Sequence, residues 1–218
     1  MSALLIIGMV TALAAAVRGN WSPCGESLQA QIHPLGERSR GNRWGVTVGA
    51  FAVGSMVAGS ALAVLLALIG MVMFPDVATN WRVAVTAILA GLAGALDLSP
   101  IRPWTPQRQV NENWIGRYRG WVYGIAFGFQ LGVGFAVFVM SWGYYAMLAT
   151  ALLSGSTAIA ALIGITFGLG RGVLLYLSRR IQTPDQLARF HRRMAEMKGP
   201  VFSATAVAMV VVAGLALT

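Results

Sequence analysis

Charged positions in this chain come in short clusters, separated by runs long enough to matter to a bilayer. A transmembrane helix needs about 20 apolar residues to cross roughly 30 Å of hydrocarbon. Six segments meet or approach that length. The first, Ala3 to Val17, completes a crossing only by running on through Arg18 toward Trp21. The second, Gly45 to Met73, is uncharged, and the third runs from Val83 to about Ile101 with Asp97 inside it. The uncharged stretch from Trp121 to Gly170 is too long for one crossing, and Ser154-Gly155-Ser156-Thr157 supplies the turn residues that divide it into a fourth and a fifth helix. The sixth spans Val201 to Leu217. The pattern predicts an all-α polytopic membrane protein of six helices.

Composition agrees: 57% of residues are hydrophobic, 11% are charged and the mean hydropathy is +0.69, beyond what a water-soluble surface of this size carries. The net charge of +9 does not point to nucleic acid, because the arginines sit in blocks between apolar runs instead of forming a water-accessible face. Fourteen of the 16 cations fall between helices one and two, three and four, and five and six, leaving Arg82 on the other side and Arg171 within helix five. By the positive-inside rule those three segments are cytoplasmic and both termini lie outside a plasma membrane. No basic residue precedes the first apolar run, so it reads as a retained helix and not a cleaved leader.

Six crossings in two triplets put the second half in the membrane upside down relative to the first, as in inverted-repeat proteins. The expected division of the single membrane domain is 1–101, a cytoplasmic linker 102–120, and 121–218. The glycine-rich stretches 49–54 and 164–170 take equivalent places in the two middle helices, and the pairs Gly45/Gly49, Gly124/Gly128 and Gly164/Gly168 allow close backbone approach.

The only cysteine stands in Trp21-Ser22-Pro23-Cys24-Gly25 at the end of the first segment. A proline there predicts a helix break, with backbone groups left to be satisfied by protein or water beside the sulfur. The order of outward start, short helix, Ser-Pro-Cys and long glycine-rich helix resembles the CcdA/DsbD transmembrane family. The stretch 129–137 in the fourth helix resembles that family's second motif with the Pro-Cys pair replaced at Phe135 and Ala136. The resemblance implies thiol-disulfide electron transfer of the cytochrome c biogenesis type, with Cys24 and Pro23 as catalytic residues and a thioredoxin-like protein supplying the missing thiol. Two other readings stay open: a small-solute or ion transporter, and a non-catalytic subunit of a larger complex.

Intramembrane polar residues are costly and need partners, which singles out Arg171, Asp97 and Gln130. An Arg171–Asp97 pair is one expectation; for Asp97 an interfacial, snorkelling position is the preferred alternative. Arg18, six residues before Cys24, is a candidate for modulating the thiol. His33 and His191 lie in basic segments without a ligand-spaced neighbour, so solvated histidines and no metal are expected. No phosphate-binding loop or other cofactor motif is present. The basic segments and Trp21, Trp44, Trp81, Trp104, Trp114 and Trp121 read as lipid-contacting anchors at span ends.

Overall fold

A computed structural model of the chain describes residues 2–106, 108–134 and 137–218, with the side chains of Ser2 and Leu174 left out. Helices alone form its regular structure, and no strand occurs among the described residues. They are α1 (Ser2–Arg18), α2 (Pro23–Gln31), α3 (Pro34–Ser39), α4 (Trp44–Met73), α5 (Thr79–Leu98), α6 (Asn113–Arg117), α7 (Gly120–Val133), α8 (Trp142–Leu153), α9 (Thr157–Leu177) and α10 (Pro184–Leu217). Five of the helical segments are long and apolar enough to cross a membrane: Ala3–Trp21, Trp44–Met73, Thr79–Leu98, Thr157–Arg180 and Pro184–Leu217. Their outward positions carry exposed apolar side chains such as Val53, Leu65, Leu92 and Val207, as a lipid-facing surface requires.

The difference from expectation lies in the stretch 121–170. The turn at 154–156 divides α8 from α9 as predicted, but α7 stops at Gly134, whose φ of 74° suits glycine, and α8 starts only at Trp142. In place of one continuous fourth helix there are two short ones, of 14 and 12 residues. The sixth helix also begins earlier than expected, because a capping box at Thr183 and Gln186 starts α10 in the polar segment. Pro200 sits within α10 without ending it.

Close backbone contact sets the packing. Gly120, Gly124, Gly128 and Gly132 form a column along one face of α7, four residues apart, and that column lies against Thr47, Phe51 and Ser55 of α4. A Cβ on Gly128 would stand 2.1 Å from the Phe51 carbonyl oxygen. Where α4 meets α9, a Cβ on Gly59 would stand 2.6 Å from the Gly164 carbonyl oxygen, and one on Gly164 would stand 2.3 Å from that of Gly59. Of the glycine pairs picked from the sequence, Gly45/Gly49 do not take part: both look onto open space.

Hydrogen bonds show which connections share an end of the bundle. At one end Trp21 Nε1 donates to the Met194 carbonyl, Leu35 N to Ile181, Ser178 Oγ to Ile32, and Gly120 N to Asn42 Oδ1. The three basic segments therefore meet. At the other end Arg82 donates to the carbonyls of Phe74, Val77 and Leu153, binding the α4–α5 turn to the end of α8.

Gly128→Ala should lower stability by about 1–3 kcal/mol, the cost of forcing a methyl into a filled interface. Gly49→Ala, where a Cβ meets open space, should not lower it and should gain up to about 1 kcal/mol from helix propensity, as read by chemical unfolding in detergent.

Candidate functional site: buried charges around the interrupted helix

Outside α6, the described residues of 99–112 and 137–141 are irregular backbone beside apolar helices, so their polar groups need partners. Asp97, at the end of α5, supplies two of them. Its carboxylate accepts from Ser141 Oγ at 2.5 Å and from the Trp142 backbone N–H at 2.8 Å, which places a negative charge at the N-terminus of α8. Arg18, the last residue of α1, balances that charge with Nε 3.5 Å from Asp97 Oδ2. Its Nη1 donates to the Phe202 carbonyl at 2.8 Å and its Nη2 to that of Asp97 at 3.1 Å, and the guanidinium lies over the Phe202 ring. One network thus ties α1, α5, α8 and α10 together.

Asp97 therefore pairs with Arg18, not Arg171, and its side chain is only 2% exposed. Arg18 is correspondingly committed to Asp97. Gln130 is half-buried on α7 and does not line the cavity at Arg171.

Arg171 has a different setting. It is 3% exposed on α9 and lines a cavity of about 20 Å³ with Ala15, Gly19, Leu131, Gly134, Tyr144 and Phe167. Neither ion pair among the described residues involves it, and its Nε has no hydrogen-bond partner. Gly19 makes room for the guanidinium, since a Cβ there would lie 2.0 Å from Nη1.

Cys24 sits in an apolar cluster with Leu28, Ile32, Phe51, Tyr123 and Phe127 at 0% exposure. Its sulfur lies 3.8 Å from the Arg108 carbonyl. The helix break expected here is present, at the extended Ser22 between Trp21 and Pro23. Pro23 opens α2 at a position where the missing N–H has no intrahelical partner to lose, and Ser22 caps that helix by accepting from Gly25 N at 3.1 Å. The groups freed by the break are thus satisfied within the protein, and the thiol beside them is buried by the apolar cluster. Phe135 and Ala136, the other half of the motif comparison, lie outside the described residues.

A second polar centre was not singled out from the sequence. Glu37 is fully buried, with Oε1 accepting from Arg40 Nη2 at 2.7 Å and from the Tyr123 hydroxyl, and Oε2 accepting from Thr47 Oγ1 at 2.7 Å. It joins α3, α4 and α7. Nothing in its spacing marks it, because its partners come from three separate elements. Nearby His33 is buried, not solvated. Burial holds its imidazole below its usual range, against the opposing pull of the Ala30 carbonyl. The neutral ring fits its two contacts: Nδ1 accepts from Gly36 N, which leaves Nε2 to donate to Ala30. Among the described residues no group of three metal-ligating side chains occurs.

No family model and no solved structure matches the chain. Curated relatives do. A protein of Methylobacillus flagellatus named methylamine utilization protein MauF is 29% identical, over 91% of this chain and 73% of its own length. Proteins of the same name from Paracoccus versutus and Methylophilus methylotrophus are 29% and 31% identical, over 96% and 78% of this chain and 79% and 61% of their own lengths. The chain is similar to MauF proteins. These relatives overturn the CcdA/DsbD resemblance, and with it the thiol-disulfide relay and the link to cytochrome c biogenesis. That resemblance rested on span order and a single Pro-Cys pair, which many helical membrane chains can share.

Removing one member of the Arg18–Asp97 pair should cost about 3–5 kcal/mol, because the remaining charge stays buried without a partner. In a double-mutant cycle with Arg18→Met and Asp97→Leu, unfolding in detergent should show the double variant losing less than the sum of the single losses.

Proposed function

We propose that this chain is a plasma-membrane protein that acts in methylamine utilization. The observation that carries this reading is the similarity to proteins of that name along 91% and 96% of the chain. In this reading the chain crosses the bilayer six times, with α7, the irregular segment and α8 together forming a discontinuous fourth crossing. Two groups of contacts support that count. The turns bound by Arg82 gather at one end, the basic segments gather at the other, and the chain from Gly120 to Leu153 runs between the two. Irregular backbone at membrane depth is tolerated where protein buries it, as Asp97 does for the start of α8. The arginine-rich end faces the cytoplasm and both termini face outward, by the distribution of positive charge.

Packing also supports an inverted repeat of 1–101 and 121–218 joined by the linker 102–120. α4 packs on α7 as α9 packs on α1, and the equivalent helices α4 with α9 and α5 with α10 pack on each other. Lipid is the partner that the outward apolar faces require, and the thioredoxin-like partner implied by the overturned resemblance is not carried forward. The working centre is the interrupted crossing with Asp97 and Arg171, and Cys24 is a packing residue of the adjacent core.

The test is deletion of the gene in its host, followed by growth on methylamine or on ammonium as nitrogen source. The expected result is a defect on methylamine alone, restored by the wild-type gene and by Cys24→Ala, but not by Asp97→Leu present at normal membrane abundance. Undiminished growth of the deletion strain on methylamine would contradict the proposal.

A further inference from the structure

Seven acidic residues occur in the whole chain, and all of them are described. Their ion pairs are Asp97 with Arg18 and Glu37 with Arg40. Arg171 is as buried as either pair and has no carboxylate. A guanidinium remains charged in proteins. Burying that charge among Ala15, Leu131 and Phe167 without a counter-charge is expensive. The cavity beside it offers a place for one.

We propose that the cavity at Arg171 binds a small monatomic anion of the halide class as a resident counter-ion. Size selects the class. About 20 Å³ exceeds the roughly 10–15 Å³ that a single water needs, yet has no room for a phosphate or an organic acid. The unpartnered Nε of Arg171 supplies a buried N–H, where a charge-assisted hydrogen bond is strong. The cavity also adjoins a positively charged groove. Phe138, Val139 and Met140 line the cavity and also a groove of about 720 Å³ at the basic end of the bundle. The charged residues of that groove are Arg18, Glu26, Asp97, Arg102 and Lys198, and with Arg18 and Asp97 paired the remainder is net positive. The ion is held to complete the charge balance of the fold. Its presence does not depend on the role in methylamine utilization.

Unfolding of the purified full chain in detergent tests this, in sodium chloride, sodium bromide or sodium gluconate at equal ionic strength. Gluconate is too large for the cavity. Chloride and bromide at about ten times their Kd should raise the unfolding midpoint by roughly 4 °C over gluconate. Arg171→Met should abolish the difference, and Gly19→Ala, which displaces the guanidinium, should abolish or strongly reduce it. Equal midpoints of the wild-type chain in halide and gluconate would overturn the proposal, as would a halide effect that survives Arg171→Met. If neither variant folds, the chloride NMR linewidth with the wild-type chain decides. Excess broadening relieved by bromide supports the site, and no excess broadening overturns it.

Discussion

The carboxylate of Asp97 answers two demands at once, and much of the bundle follows from it. An apolar stretch that stops being helical at Gly134 must restart, and the first N–H groups of the new helix need an acceptor. Asp97 supplies that acceptor to the Trp142 N–H and also accepts from the Ser141 hydroxyl. A carboxylate in this position needs a counter-charge, and Arg18 supplies it from the end of α1. Because Arg18 also binds the Phe202 carbonyl, the same few atoms fix where α1, α5, α8 and α10 meet. Glycine columns then determine how closely α7 and α9 lie on α4.

The buried charges fall into two kinds. Arg18 with Asp97, and Glu37 with Arg40, Tyr123 and Thr47, are hydrogen-bonded pairs or networks that join separate elements. Such groups contribute to a unique arrangement even where an apolar replacement of equal volume could match their stability. Arg171 belongs to neither network. Its guanidinium lies beside a small cavity at the interrupted segment, where an unpaired donor and open volume coincide. That asymmetry separates charges that hold the helices together from one that faces space.

The long helices and the turn at 154–156 were legible in the sequence because apolar run length and turn residues are local signals. The collection of the basic segments at one end followed from their spacing along the chain. The separation of α7 from α8 was not legible, since no charge or proline marks it in the sequence and the start of α8 is satisfied by a residue from another helix. Asp97 was singled out, but the one pairing considered for it, with Arg171, is not the pair that forms. Pairing depends on how helices rotate about their axes, and the sequence does not encode that locally. Pro23 illustrates the same point at short range: a proline can end one helix or begin the next, and the capping by Ser22 decides in favour of the second. Cys24 was over-read because it is the only cysteine, whereas its packing with Leu28, Phe51 and Phe127 accounts for its place.

The central structural claim is that the interrupted α7–α8 segment carries the chain across the bilayer. The most direct measurement labels single cysteines with a membrane-impermeant maleimide from each side of sealed vesicles, in a Cys24→Ala background. Asp76→Cys, Asn113→Cys and Thr157→Cys report the α4–α5 turn, the linker and the α8–α9 turn, all three at exposed positions. The account predicts that the cysteine at 157 reacts from the same side as that at 76 and from the side opposite to that at 113. Reaction of the cysteine at 157 from the same side as that at 113 would contradict it.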